Sequence, residues 1–589
     1  MADKVRFVTL DSADARGTQS AEVPVRLTRP IGFLLLLLLT VSVLSLGLFP
    51  IRDGGDQWWH LKTGQYLVQV RFDFPEEDVF SWTSAGHSWA NHEWLADTLM
   101  FLTYRAVGLK GLIAVKAVIL AVAFLLVGGL IYRRTNDVLW SLSGALLAGW
   151  AAQFSMHLRP PVLTCLLTAV YLHLVLNLRD GKKVALTQGV SFPLMVLWIN
   201  LHGGAILGLV IAGLCLAGAL LSWLAGRLAS NGPATQAESL GQARRFGLNL
   251  AILGLASFCN PFTYHIHLLT LKVMGNKELL QYVSELQMPN LHHTTGYLVL
   301  LILLVAFGLG SVRRFRLSEA LLVLFFLHQS LLHVRHLPLF AIVVTPILFE
   351  QIAAWQHSLV AHPSGAVRRI GQAGWGILLA LFVLGAGILL TSKWQRNVRP
   401  LLRSPGYLRY GPPVDAVNFL QRHPFRGRMY NPINFSGYLI WRLSPERFKT
   451  FTDSRFDIFG SDILIDCLAI ESGNTLAPVE YTQLSPVAQD LLRWQIEKGL
   501  RPPYWKKALE DYGIDFMILG RDSRLHLLLS GAEQSGWAKV YEDAGYAIYV
   551  RDAPENRDLI ESARRTYDAQ QESRMRASPA GFVPAPPLR

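Results

Sequence analysis

The sequence predicts a mainly α protein: a polytopic helical membrane domain of about eleven crossings, then an α/β domain outside the bilayer. Three observations carry this. Of 589 residues, 51% are hydrophobic and only 16% charged, with mean hydropathy +0.30. The apolar residues are bunched, as in Ile31 to Leu39, into runs near the ~20 residues that cross a ~30 Å hydrocarbon core. Basic residues fall in alternate short loops, the pattern that sets orientation in a membrane.

Residues 1–30 read as a cytoplasmic N-terminal tail. No small-x-small cleavage site follows the first apolar run, so that run reads as an uncleaved anchor. Candidate crossings are 31–50, 109–131, 138–155, 161–178, 185–201, 203–226, 246–259, 295–310, 317–334, 337–352 and 373–391. Residues 31–391 therefore form the transmembrane domain, with a first external loop at 51–108. The inner loops then hold Arg133-Arg134, Arg179 to Lys183, Arg227 to Arg245, Arg313 to Arg316 and His357 to Arg369. The tight outer turns hold only Arg159 and Arg335. An odd number of crossings places residues 392–553 outside.

This outer part reads as α/β, with strand-like runs Arg428–Tyr430, Phe448–Phe451, Phe516–Leu519 and Ala547–Val550. Helical stretches Pro486–Lys498 and Tyr504–Tyr512 lie between them. Residues 554–589, polar and then Ala/Pro-rich, read as a disordered tail. The net charge of +13 resides mostly in the loops between apolar runs. There it meets the anionic headgroups of the lipid bilayer and calls for no nucleic acid partner. The four cysteines show no paired spacing, so neither a disulfide nor a structural zinc is expected.

The first external loop carries the chemistry. It reads Asp53-Gly-Gly-Asp56-Gln-Trp-Trp-His60, then Pro75-Glu-Glu-Asp78, and ends Asn91-His92-Glu93-Trp94-Leu95. It is acidic within a basic protein, and its tryptophans suit the headgroup level. Glu93 is expected to open an amphipathic helix lying at the membrane surface. Carboxylates beside His60 and His92 are the combination used for general base catalysis or for a divalent metal. A solvated loop with an aromatic belt would account for the tryptophans but not for that acidity.

The other outer turns add His157-Leu-Arg159, Asn200-Leu-His202, Asn260-Pro-Phe262, His292-His293 and His333-Val-Arg335-His336. Snorkelling at helix ends explains any one of these residues. It explains their one-sidedness poorly: among the inner loops only 353–372 holds histidines, His357 and His362. Polar groups at such depth usually face a cavity. A cavity ringed by His202, His333, His336, Arg159 and Arg335 suits an anionic lipid headgroup, with the arginines as phosphate ligands.

Asp56-Gln-Trp-Trp-His60-Leu-Lys-Thr-Gly64, followed by Pro75, Asp78, Phe80-Ser81 and His92-Glu93-Trp94-Leu95, resembles a family of bacterial multispanning proteins of the GT-C glycosyltransferase type. The outer domain is similar to theirs in Phe435-Ser-Gly437-Tyr-Leu439, Phe451-Thr-Asp453-Ser-Arg455, Leu509–Met517 and Trp537–Val550. The likeness covers most of 31–552. It implies a GT-C-like fold in a bacterial inner (cytoplasmic) membrane, with a periplasmic C-terminal domain. It also implies transfer of a hexosyl or pentosyl group from a polyprenyl-phosphate sugar donor to a glycan, lipid or protein acceptor. Asp56 matches the acidic position that serves as base or metal ligand, with Asp53 beside it and Glu93 as a second acidic element. A divalent cation, Mg²⁺ or Mn²⁺, would be held by Asp53, Asp56 and Glu93. Asp53 and Asp56 are three apart rather than in a DxD, which weakens direct metal binding. Asp453 and Arg455 are expected to form an internal ion pair rather than to contact an acceptor.

Two other functional classes stay open. A lipid or solute transporter, or flippase, would show internal repeats and midplane charges, whereas the polar residues here crowd one face. A non-catalytic envelope assembly protein needs no acidic loop.

Overall fold

The computed structural model describes residues 28–577 apart from 53, 230–231, 276–282, 311–315, 409–410, 460 and 532–534. Nearly all of the expected N-terminal tail, Asp53 and the chain end from 578 lie outside the described residues. Every expected crossing is helical. They are α1 (Arg29–Gly47), the far leg of α3 (Trp94–Thr135), α4 (Val138–Ala152), α5 (Pro161–Arg179), α6 (Val184–Leu201), α7 (Ile206–Leu228), α8 (Pro233–Ala256), α10 (Thr295–Gly310), α11 (Leu317–Leu332), α12 (Leu337–Val360) and α13 (Gly365–Lys393). Helix α9 (His265–Gly275) lies between α8 and α10. Among the described residues, seven helices are long and apolar enough to cross a membrane, α4, α10 and α11 are apolar but shorter, and α8, which carries the expected crossing 246–259, belongs to neither group.

Local signals fix the boundaries. Pro at the first turn starts α1, α5 and α8, where a missing N–H costs nothing. The Asp137 carboxylate caps α4 by accepting from the Leu139 and Trp140 amides, satisfying orphan donors. At one end of the bundle, arginines from three of the loops expected on the inner side converge on buried Glu319. They are Arg134 at 2.8 Å, Arg179 at 3.1 Å and Arg316 at 3.1 Å.

The first external loop is largely ordered structure rather than an open loop. Its Asp56–Gln69 segment forms α2, and α3 begins at Trp94. Helix α3 breaks at Gly108 (φ 69°), a left-handed conformation that glycine tolerates. The break separates the leg carrying Asp97 from the crossing that follows.

The outer domain holds a four-stranded sheet in the order β1-β2-β4-β3, from β1 (Arg428–Tyr430), β2 (Ile514–Gly520), β3 (Trp537–Glu542) and β4 (Tyr546–Arg551). Only β1 and β2 are parallel. Two expectations are corrected. Phe448–Phe451 is not a sheet strand; Thr450 instead bridges Ser81 of the first external loop, because Phe80 O and Trp82 N take its backbone groups. The expected disordered tail is a helix over Arg557–Ala577. Its polar composition conceals one apolar stripe, Ile560, Ala563 and Tyr567, buried against the domain core. The Tyr567 hydroxyl donates to Glu542 O at 2.6 Å.

The C-terminal domain packs directly onto helix ends of the membrane domain. Trp58, Leu109, Ile113 and Leu158 share one core with Phe419, Leu439, Phe516 and Ile548. Arg455 ties the two parts together. It is buried, 2.7 Å from Asp78 of the first external loop and 2.7 Å from Asp453. The expected ion pair is therefore present and extends to a third residue.

Candidate active site

Asp56 opens α2, where the unpaired amides of a helix start favour a negative charge. The Gly54-Gly55 turn before it is pinned by the outer domain. Tyr438 N donates to Gly54 O at 2.8 Å, and a Cβ on Gly437 would overlap the Gly55 carbonyl. Asp56 Oδ2 accepts from Arg159 at 2.5 Å, and its Oδ1 accepts from the Ser454 hydroxyl. Burial opposes its charge, but Arg159, the Ser454 bond and His60 outweigh burial and hold Asp56 below the ordinary aspartate range.

Arg159 also pairs with Glu285, on the short Ser284–Leu286 turn. That turn is held against the α11–α12 junction, where Val334 N donates to Gln287 O at 2.9 Å and His333 Nδ1 lies 2.6 Å from Leu286 O. Arg335 projects from the same junction and is exposed. Among the described residues no side chain hydrogen-bonds or pairs with it, although Glu285, Arg159, Glu93 and Asp56 all act on it electrostatically.

Glu93 precedes α3 and is buried. Its oxygens lie 3.4 Å from His202 Nε2 and 3.9 Å from His60 Nδ1. Helical spacing builds this half of the site. His60 follows Asp56 by one turn on α2, and Asp97 follows Glu93 by one turn on α3. The helices meet closely at Gly64, where a Cβ would overlap the Asp97 carbonyl. His60 Nδ1 lies 2.7 Å from Asp97 Oδ1, and Asn91 donates to Asp97 Oδ2 at 3.0 Å. Burial lowers the affinity of His60 for a proton, but Asp97 and Glu93 outweigh it and raise its pKa. Burial raises the pKa of Glu93; Asp97 and Asp457 add to this, while His92 and His60 oppose it. His202 Nδ1 lies 2.9 Å from the Thr164 hydroxyl, which also accepts from Trp198 at 3.0 Å.

The structure thus brings Asp56, Glu93, His60, His202, Arg159 and Arg335 to one place, with His92 packed beside Gly203. His333 and His336 serve the neighbouring junction. The first faces the Leu286 carbonyl, and the rings of the two stand 5.5 Å apart. Sequence reading missed Asp97, Glu285 and Ser454. Asp97 was signalled by its four-residue spacing from Glu93. Glu285 and Ser454 come from distant segments, and no local pattern marks them. Asp78, a fourth acid of the loop, belongs to the scaffold. Burial opposes its charge, but Arg455, Ser81 and Ser84 hold its pKa down to about 2.

Among the described residues no group of three or more His, Cys, Asp or Glu side chains is arranged to hold a metal ion. Of the three carboxylates expected to hold a divalent cation, Asp53 lies outside the described residues, and the Asp56 oxygens are engaged by Arg159 and Ser454.

The sequence matches no protein-family model and no curated protein. The fold does have solved counterparts. The apo oligosaccharyltransferase from Archaeoglobus fulgidus aligns with a TM-score of 0.52 at 13% identity, over 89% of this chain and 75% of that one. The same organism's AglB, in complex with an inhibitory peptide and a dolichol-phosphate, aligns at 0.51 and 11% identity, over the same shares. ArnT from Cupriavidus metallidurans is a weaker likeness at 0.46 and 11% identity, over 89% and 98%. The chain thus shares the fold of the oligosaccharyltransferase, a bundle of apolar helices followed by a C-terminal α/β domain, as expected.

Proposed function

We propose that this chain, which shares its fold with an oligosaccharyltransferase, is a membrane glycosyltransferase that takes its sugar from a polyprenyl-phosphate-linked donor. The acceptor is extracytoplasmic, and the setting is a bacterial inner membrane with the N-terminus inside. One observation carries the reading. A carboxylate, Asp56, and a phosphate-competent arginine, Arg159, are in direct contact, with Arg335, unpaired among the described residues, beside them.

An inverting transfer needs a base for the acceptor hydroxyl and a counter-charge for the leaving phosphate. At rest Arg159 is shared between Asp56 and Glu285. A donor phosphate competes for its planar donor fork and is also met by Arg335. As Arg159 turns to the phosphate, Asp56 loses the charge that depresses its basicity. It then takes the acceptor proton while the acceptor oxygen bonds to the anomeric carbon. The bond from that carbon to the phosphate oxygen breaks, and the lipid phosphate leaves on the arginines. Glu93, kept basic by its buried setting, and the His60–Asp97 pair orient the acceptor beside it.

The test is Asp56→Asn in purified protein in vesicles, with polyprenyl-phosphoryl hexoses and pentoses supplied as donors. Release of polyprenyl phosphate is expected to fall at least 100-fold while the variant inserts and folds normally. Wild-type turnover by the variant would remove Asp56 from the reaction. Lipid translocation without any release of polyprenyl phosphate, in the wild type, would replace the enzyme reading with a transporter.

A further inference from the structure

The turn Asn200-Leu-His202-Gly-Gly204 joins α6 to α7, and the proposed transfer gives it no task. It meets His92-Glu93-Trp94 at three points. Asn200 Oδ1 accepts from Trp94 Nε1 at 2.9 Å, His202 Nε2 lies 3.4 Å from a Glu93 oxygen, and Gly203 packs on the His92 ring. Asn200 is itself tied down, donating to Val196 O at 2.7 Å and to Cys259 O at 2.8 Å.

The surroundings of His202 decide where its ring proton sits. Its Nδ1 accepts from the Gly204 amide at 2.9 Å. The Thr164 hydroxyl stands 2.9 Å from the same nitrogen. That hydroxyl oxygen already accepts from Trp198 Nε1 at 3.0 Å, so its own hydrogen turns to Nδ1. Two donors aimed at Nδ1 exclude a proton there, which leaves a neutral ring with its one N–H at Nε2. Burial first, then His92 and Arg335, act in the same sense and hold the His202 pKa well below the ordinary histidine value. The arrangement needs glycine at 204, where a Cβ would lie 2.6 Å from Nδ1 and 2.8 Å from the Thr164 oxygen. Thr164 and Trp198 are buried, so packing fixes the ring before any ligand arrives.

His202 therefore turns a neutral donor toward Glu93. At 3.4 Å the two are too far apart for a good hydrogen bond. Among the described residues, neither Nε2 nor the Glu93 side-chain oxygens hydrogen-bond to anything else. Glu93 is 8% and His202 9% exposed. A buried donor and a buried acceptor left unsatisfied side by side are costly, and one group that both accepts and donates completes them. A hydroxyl does so: its oxygen accepts from Nε2, and its hydrogen goes to Glu93. An ammonium has no lone pair for the Nε2 proton, and a phosphate or carboxylate sets a second negative charge against Glu93. We infer that His202 and Glu93 form a subsite that reads a hydroxyl, and that the acceptor is a carbohydrate, presenting one hydroxyl to Asp56 and a neighbouring one to this pair. Thr164, Trp198, Asn200 and Gly204 are positioning residues for it. His202 thus serves the acceptor, and the donor phosphate is left to Arg159 and Arg335. The inference rests on the proposed function only for Asp56 as the base.

The experiment is nuclear magnetic resonance of the full chain in vesicles, isotope-labelled at the histidine ring nitrogens, with the His202 signals assigned by their loss in His202→Gln. At neutral pH the wild type is expected to show a protonated Nε2 and a bare Nδ1. Titration with a methyl hexopyranoside is expected to shift the Nε2 signal to saturation, while propanol and ethanolamine need at least tenfold higher concentrations. A charged ring, a proton on Nδ1, or an Nε2 signal that the glycoside does not move, water alone filling the gap, would overturn the inference. This measurement needs no turnover, so failure of the enzymatic reading is seen separately, as no release of polyprenyl phosphate in any sample. With a polyprenyl-phosphoryl hexose as donor, His202→Ala is expected to raise the KM for the methyl hexopyranoside about tenfold, the order of one lost hydrogen bond, and to leave the KM for the donor within about twofold. His202→Gln, which keeps an N–H donor, and Thr164→Ser, which keeps the hydroxyl, are expected to stay close to wild type, whereas Thr164→Val follows His202→Ala. A rise in the donor KM instead would return His202 to the phosphate and overturn the inference. So would an acceptor KM that His202→Ala leaves unchanged.

Discussion

Replacing Arg455 by methionine removes the one cation from a buried cluster of three charges. Arg455 donates through Nε and Nη2 to Asp453 and through Nη1 to Asp78 at 2.7 Å, and it lies 5.0 Å from the Trp89 ring centre. Breaking a buried ion pair by removing one partner costs about 3–5 kcal/mol. The Asp78 share follows from its pKa, held from 3.8 down to about 2 against burial by Arg455 first of all. That drop corresponds to about 2 kcal/mol. The sign is that of a carboxylate with a depressed folded-state pKa. The stabilisation is full above 3.8 and is lost as pH falls through about 2. Arg455→Met should therefore unfold earlier in denaturant, by about 3–5 kcal/mol at pH 7, with the gap to wild type narrowing below pH 4. Adding Asp78→Asn and Asp453→Asn to Arg455→Met should recover much of the loss. Unfolding of the full chain in mild detergent, followed by tryptophan fluorescence, reads this directly. A loss below about 1 kcal/mol, or a gap independent of pH, would refute the reasoning. Because Ser454 precedes Arg455 and holds Asp56, glycosyl transfer should fall in parallel.

Glu93 makes the opposite pH prediction. Burial raises its pKa above 4.5, so its charged form opposes folding increasingly as pH rises through the raised value. Glu93→Gln should raise the midpoint of thermal unfolding at pH 7 yet slow transfer, and should flatten the acid limb of the pH–rate profile. An unchanged acid limb would place that limb on another group. Gly64→Ala should destabilise by about 1–3 kcal/mol through overpacking, because its Cβ meets the Asp97 carbonyl; a wild-type unfolding midpoint would mean that α2 and α3 separate freely. Transfer should survive EDTA, since Arg159 already neutralises Asp56. Loss on chelation, restored by Mn²⁺, would bring Asp53 into the site as a metal ligand.

The helices of the membrane domain were legible because hydropathy and loop charge are independent signals that agree. The Asp56, His60 and Glu93 side of the site was legible too, since these residues share one short loop. What remained hidden depends on contacts between distant segments. Thr450 looked like a sheet strand by its β-branched and aromatic neighbours, but its backbone partners lie some 370 residues earlier in Phe80 and Trp82. The helix over Arg557–Ala577 was masked by its polarity, since only one stripe is buried. Ser454 and Glu285 reach Asp56 and Arg159 from other parts of the chain, and no periodicity encodes that meeting.

The clasp of Gly437 and Tyr438 on the Gly54-Gly55 turn bears on how the protein matures. Asp56 is made early by the ribosome, but Gly437, Tyr438 and Ser454, which fix its turn and one of its oxygens, follow some 380–400 residues later. A nascent or truncated chain ending before residue 435 would hold every helix of the membrane domain and still lack a settled Asp56. The two halves of the chain are therefore joined at the start of α2, and the local setting of Asp56 depends on both.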